Sequence, residues 1–397
     1  MKRNTNNIRT FFCREGTYYS LVIAGVLFIA LLKQVNPMML FASLLVCPLF
    51  IGLWLGRQTL KRLTVRRIVP PRIHAGDTFV TQLEVFNNGQ KISSWGVIAE
   101  DSIEIIASGT EQEQSEHKPA VYFDYIGAQE NQRKSYVGRL PIRGRYWFKN
   151  VTLSTRFPCG FFRSVTELET ESEMIVLPKL GTLADGWITR QHEANETIMH
   201  RRHRPSRMTG EFFGARGWQH GDTKRWIHWR SSARHNQMMV RQYEQHQNHD
   251  AAILLDLFHP GELLPIDEEN IELAVSFAAT LTGDIIRRGG YNLTFGTFQD
   301  EYEIYHGLSN TMFLDQILER LAVVKKTQTD CLAELMTETL SNTDPNADLI
   351  LVTPLPIDLN EHGRLATLKN DPRLRTLMQR LRVVVTSDAE FDKIFVV

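Results

Sequence analysis

Cysteine is scarce in this sequence, and no two cysteines lie close together. The four, Cys13, Cys47, Cys159 and Cys331, form neither a CxxC pair nor a dense framework. That spacing speaks against a structural zinc site and against a disulfide scaffold. Unpaired thiols fit a reducing compartment. Net charge is missing too, since 45 Lys and Arg balance 45 Asp and Glu. The even total hides local asymmetry. With 43% hydrophobic and 23% charged residues the composition is that of globular protein. At roughly 150 residues per domain, 397 residues imply two or three folded units.

Charge is absent altogether from two stretches near the N-terminus. Residues 16–32 contain TYYSLVIAGVLFIALL, and residues 37–56 read PMMLFASLLVCPLFIGLWLG. At about 1.5 Å per residue, some twenty residues cross the roughly 30 Å hydrocarbon layer of a bilayer. The second stretch meets that length. The first is slightly short, with Tyr18 and Tyr19 at its interfacial end. Only Lys33-Gln34-Val35-Asn36 separates them, so two spans would form an antiparallel helical hairpin. Lys2, Arg3, Arg9 and Arg14 precede the first, and Arg57, Lys61, Arg62, Arg66 and Arg67 follow the second. The positive-inside rule then places both termini in the cytoplasm, with a bacterial inner-membrane location expected. A signal peptide would share the basic start, but no small-x-small cleavage site follows. Buried core helices are the other reading; the length and the lack of charge weigh against it.

From residue 63 to about 178 the pattern changes to short alternating runs. Residues 78–86 alternate and meet Asn87-Asn88-Gly89, a turn signal. Residues 96–100, 103–106, 136–140, 145–148 and 151–155 are further expected strands, broken at Gly144 and Asn150. The pattern predicts an immunoglobulin-like β-sandwich. The acidic residues 111–116 are expected to form a solvated loop. After Asp250 strands and helices alternate: strands at 251–257, 291–298, 302–305, 348–353 and 382–386, helices at 268–287, 311–323, 331–340 and 361–380. This order predicts a mostly parallel, doubly wound α/β sheet. Open α/β sheets bind ligands at strand ends. Only Asp256 and Thr353 offer side-chain oxygen there, too few for a hard cation. Asp256 reads as a structural cap, and neither a metal nor a cofactor is expected.

Residues 198–244 are rich in arginine, with Trp218, Trp226 and Trp229 interleaved. Three readings compete. Basic and aromatic residues can bind nucleic acid, though no recognised motif accompanies them and a membrane anchor argues against it. They can bind anionic lipid. They can also form a structural network, with Asp222 paired to Arg225 or Arg234 and tryptophans stacked on guanidinium groups; this reading is favoured. A nucleophile–base pair of Ser232 and His228, four residues apart, lacks an elbow glycine and an orienting carboxylate.

Residues 210–240 resemble the signature of the family called domain of unknown function 58. The matching positions are Arg216, Gly221, Asp222, Arg225, Ile227, Trp229, Ser232, Ala233 and Arg234, followed by an apolar strand at 238–240. Trp218 replaces the usual tyrosine. Residues 156–162, RFPCGFF, resemble a second family feature, a turn closing the β-region. The resemblance implies a C-terminal part similar to von Willebrand factor A domains. It also implies partners, a MoxR-type AAA+ ATPase and a transglutaminase-like membrane protein. In metal-binding A domains the first strand ends in Asp-x-Ser-x-Ser; here Asp256 is kept, but Phe258 and Pro260 replace the serines, and Pro354 stands near the place of a later aspartate.

The expected organisation is a transmembrane hairpin at 1–62, a β-sandwich at 63–178, a linker with the basic signature at 179–250 and an A-like domain at 251–397. The function this implies is a membrane-anchored adaptor, not an enzyme. A hydrolase acting on an anionic envelope substrate is the rival, and an anionic-lipid sensor the third reading.

Overall fold

The computed structural model describes residues 8–33, 36–108, 118–184, 186–187, 211–219, 222–244, 249–289, 291–343, 347–357, 364 and 381–397. Two compact units divide the chain, Met1–Lys179 with Leu318–Lys325, and Leu180–Ile317 with Lys326–Val397.

Unit one begins with strand β1 (Arg9–Phe12), then helices α1 (Arg14–Lys33) and α2 (Asn36–Leu60). Both helices are long and apolar enough to cross a membrane. Small Ala30 and Ala42 are fully buried, while Leu21, Phe28, Leu40 and Phe50 point outward. Tyr19 Oη donates to the Leu45 carbonyl at 2.9 Å, tying one helix to the other.

Strands β2 (Leu63–Ile68), β3 (Arg72–His74), β4 (Thr78–Asn87), β5 (Ser94–Ser108), β6 (Ala120–Ile126), β7 (Asn131–Arg139), β8 (Gly144–Thr155) and β9 (Phe162–Leu177) follow. They form two sheets, β2-β4-β7 and β1-β9-β8-β5-β6, with β3 parallel to β9 in the second. Leu83 and Val85 from the first sheet share one apolar core with Val97, Phe148 and Leu153 from the second. The alternation in β4 is therefore a half-buried strand, as its period of two requires. Residues 96–100 and 103–106, expected as separate strands, are one strand, β5. Its register against β8 slips between Asp101 and Ile103, where a bulge takes up the extra residue. Asn150 sits at a similar slip inside β8 and does not break it. Asn87 does end its strand, its Oδ1 accepting from Gly89 N at 2.9 Å, but the chain then changes sheets instead of forming a hairpin. The expected acidic loop at 111–116 lies outside the described residues.

Inside this core sits a charged pair. Arg67 donates to both Asp101 oxygens, at 3.0 and 2.6 Å, and to the carbonyls of Phe148 and Thr170. Tyr136 Oη donates to Asp101 Oδ2 at 2.7 Å. Burial pushes the Asp101 carboxyl up, and Arg67 pulls against it. Arg67 is thus consumed inside the sandwich, whereas Arg57, Lys61, Arg62 and Arg66 remain exposed.

Unit two contains β10 (Thr182–Leu183), β11 (Glu211–Gly217), α3 (Trp229–His235), β12 (Met239–Glu244), β13 (His249–Leu255), α4 (Pro265–Arg288), β14 (Tyr291–Phe298), β15 (Tyr302–Leu308), the first part of α5 (Thr311–Val323) up to Ile317, α6 (Leu332–Ser341), β16 (Asp348–Thr353), β17 (Leu381–Val385) and β18 (Phe395–Val396). The five-stranded sheet has the order β15-β14-β13-β16-β17. It is parallel except for the edge strand β15. Central β13 is buried on both faces, which its continuous apolar run requires. Helix α4 ends at Gly289, whose φ of 71° suits glycine. Phe277 of α4 packs edge-on against Trp187, Phe391 and Phe395. Of the expected helix at 361–380, only Arg364 lies among the described residues.

Candidate functional site

The described part of the basic signature segment, residues 211–219 and 222–244, is carried on the antiparallel pair β11–β12. Buried Ile227 bridges to buried Val240, and His228 N donates to the Met239 carbonyl at 2.7 Å. These contacts pin the middle of the loop back onto β12. Helix α3 starts at His228, whose Nδ1 accepts from Ser231 N at 3.2 Å and lies 2.7 Å from Ser231 Oγ. It stops at Asn236, which adopts the left-handed conformation that asparagine tolerates.

Asp222 closes the loop, but not with the partner the sequence suggests. Its two oxygens accept from Arg216 Nη1 and Nη2 at 2.7 and 2.8 Å, and Oδ2 also accepts from Gln219 N at 2.8 Å. Arg216 lies near the end of β11, where the loop returns; Arg225 lies in a short 3-10 turn at 224–226 and Arg234 in α3, both exposed. The expected pairing of Asp222 with Arg225 or Arg234 is therefore replaced by a forked clasp to Arg216. Those charge-assisted bonds, Arg216 first and Gln219 second, hold the Asp222 carboxyl down at about 2. Trp229 is 69% exposed. Gly221 lies outside the described residues.

Ser232 is engaged by backbone. Its hydroxyl accepts from Met239 N at 2.8 Å and donates to the His228 carbonyl at 3.1 Å. The imidazole of His228 turns to Ser231 instead. Sharing a helix face has not made a nucleophile–base pair of Ser232 and His228.

A second cluster stands at the carboxyl end of β13. Asp256 is almost fully buried, and Arg364 Nη1 donates to its Oδ2 at 2.7 Å. The same guanidinium donates to Asp330 through Nε at 2.7 Å and Nη2 at 2.6 Å. It also lies 4.4 Å from the centroid of Phe258, a cation–π contact. Asp256 Oδ1 accepts from Phe258 N at 3.2 Å, closing a turn at this strand end. Burial pushes the Asp256 carboxyl up while Arg364 opposes it; the Arg364 bonds hold Asp330 down. A protein cation thus neutralises the strand-end carboxylate. Thr353 closes on itself, donating to the Leu355 carbonyl at 3.1 Å and accepting from Leu355 N at 3.3 Å. Among the described residues no group of three or more His, Cys, Asp or Glu could hold a metal ion. Sequence reasoning singled out Asp256 but missed Asp330 and Arg364, which lie 74 and 108 positions further on, as the residue numbers give.

The signature loop and the first three strands of the sheet fall within residues 214–347, which match the family described as "Protein of unknown function DUF58". Residues 214–347 are a DUF58 domain. The DUF58 match takes in the Arg216–Asp222 clasp, α3, Asp256 and Asp330 and stops short of Arg364. No curated protein matches the chain. Among solved structures, a β-glucosidase from Listeria innocua with gluconolactone is similar at 11% identity, over 29% of this chain and 16% of its own, with a TM-score of 0.21. Spo0M, a sporulation control protein from Bacillus subtilis, is similar at 14% identity over 34% of this chain and 56% of its own, TM-score 0.18. A CARDB domain from Pyrococcus furiosus is similar at 13% identity over 27% of this chain and 93% of its own, TM-score 0.17. Similarity at that level is distant and says nothing about function.

Proposed function

We propose that this protein is a membrane-anchored adaptor that presents its DUF58 domain to a cytoplasmic protein partner. The observation that carries the reading is the hairpin itself: only 17% and 11% of its two apolar windows is buried within the fold. A helix pair that shows its apolar side chains outward has the lipid bilayer as its fitting solvent. The positive flanks place both termini in the cytoplasm. The sandwich at 63–178 is read as immunoglobulin-like and the sheet of unit two as similar to a von Willebrand factor A domain.

Residues Arg225, Trp229, Arg230 and Arg234 form the partner-facing surface in this reading. All four side chains are exposed, while Arg216 and Asp222 hold the loop that carries them. Tryptophan and arginine dominate binding hot spots, because they offer large contact area and forked donors. The family resemblance supplies the candidate partner, a MoxR-type AAA+ ATPase, with a transglutaminase-like membrane protein as a second. The engaged Ser232 hydroxyl and the neutralised Asp256 give the hydrolase reading no support.

The test is retention of the purified ATPase by the full chain in lipid nanodiscs. Trp229→Ala should weaken retention at least tenfold without shifting the melting temperature, since this side chain is exposed. No binding by the wild type, or equal binding by the variant, would remove the adaptor reading.

A further inference from the structure

Residues 156–162, a family feature in the sequence with no role attached, form the turn between β8 and β9 and the first residue of β9. In the fold it lies against the hairpin. The ring of Tyr19 in α1 stacks on Phe161, and Phe12 meets Phe162 edge-on at 4.7 Å. A Cβ placed on Gly52 of α2 would sit 3.7 Å from the Phe162 ring and 4.0 Å from Pro158. Gly56, which ends the charge-free run, faces the Phe157 carbonyl. The turn therefore reaches up α2 from Gly56 to Gly52, about 6 Å at 1.5 Å per residue. That distance lies inside the apolar run.

Among the described residues nothing covers its tip. Pro158 and Cys159 are exposed, and Phe157, Phe161 and Phe162 are partly so. Beside it, Trp95 stacks on Phe157 and meets Tyr125 at a tilt of 60°, yet 45% of Trp95 and 42% of Tyr125 stay exposed. Arg14, Arg57 and Arg156, which adjoin Cys13, Gly56 and Phe157 of these contacts in sequence, are exposed. So dense a set of open aromatic rings is unusual on a surface facing water. Tyrosine and tryptophan beside arginine, at the end of an apolar helix pair, is the composition of a membrane interface. Guanidinium groups there meet anionic headgroups.

We infer that the turn at residues 156–162 dips into the headgroup–acyl boundary of the bilayer, a third membrane contact that seats the sandwich on the lipid surface. This rests on reading the two helices as spans. It makes the sandwich a fixed platform and not a domain hanging from a flexible stalk.

Native cysteines allow the test on the full chain. One variant keeps only Cys159 and another only Cys47, which is exposed in the middle of α2; the other cysteines become serine. A third, cysteine-free otherwise, carries Asp77→Cys, an exposed position just before β4. Each is labelled with an environment-sensitive fluorophore and reconstituted in phosphatidylcholine–phosphatidylglycerol vesicles. The Cys47 label should be quenched by lipids with a nitroxide deep in the acyl chain. The Cys159 label should be blue-shifted, quenched by a shallow nitroxide lipid and protected from aqueous iodide. The Asp77→Cys label should be quenched by iodide alone. If the Cys159 label behaves like the Asp77→Cys label while Cys47 senses lipid, the inference fails and the spans stand. If Cys47 senses no lipid either, the spans fail and the inference with them.

Discussion

The ring of Tyr19 lies nearly flat on that of Phe161, with centroids 4.4 Å apart and planes 11° from parallel. One residue is in the first apolar helix, the other in the β-sandwich of the same unit. The contact joins them side chain to side chain, and Cys13 N adds a hydrogen bond to the Phe161 carbonyl at 2.9 Å.

Gly16 is where this junction is tightest. A Cβ there would collide with the Phe161 carbonyl oxygen, a backbone atom that cannot rotate away. Gly16→Ala should destabilise the full chain by about 1–3 kcal/mol, the usual cost of overpacking. Gly25→Ala in the same helix meets nothing within 4 Å and should be neutral or slightly stabilising. Thermal unfolding of both variants in detergent checks the contrast.

Arg67 and Asp101 have no exposed side-chain surface. Removing one partner strands the other in the apolar core. Arg67→Ala should cost about 3–5 kcal/mol, read as a fall in denaturant midpoint. Tyr136→Phe removes one hydrogen bond to the same carboxylate and should cost less, about 1–3 kcal/mol.

Asp222 should titrate near pH 2 in the folded protein, against an ordinary value of 3.8. Its folded pKa is depressed, so its contribution to stability is present above about 3.8 and is lost as pH falls through about 2. Arg216→Ala should move the midpoint up towards the ordinary value, with Gln219 N still holding part of the shift. Carbon-13 NMR of the carboxyl group follows the titration directly. An unmoved midpoint would mean that the clasp does not form in solution.

Arg364→Ala should leave Asp256 buried without a counter-charge. The expected loss is towards the lower end of about 3–5 kcal/mol, because Arg364 keeps 19% of its side chain exposed. Adding Asp256→Asn to that variant should recover stability by removing the stranded charge. If Arg364→Ala alone is neutral in a denaturation curve, the triad is not a structural lock.

Elements whose pattern is local could be read from the sequence. The apolar runs of α1 and α2, the alternation of β4 and the unbroken apolar stretches of β13 and β16 each carry their own period. Bulges could not, because the slips at Asp101 and Asn150 are settled by the partner strand β8 or β9. Strand β9 carries no such signal, since its charged alternation at Glu167, Glu169, Glu171 and Glu173 looks like a loop until a sheet buries Leu168 and half-buries Thr170 and Ser172. The site follows the same division. The signature residues stood out by type and spacing, but the choice of Arg216 for Asp222 depends on how the loop returns to β11. Arg364 was invisible because nothing near it in sequence points to Asp256.

The most direct test of the account is the sidedness of the chain. A protease added to inverted inner-membrane vesicles should digest the sandwich and the DUF58 domain, leaving a fragment the size of the hairpin. The same protease on right-side-out vesicles should leave the chain whole. Digestion of the C-terminal units from the right-side-out face would contradict both the topology and the cytoplasmic partner.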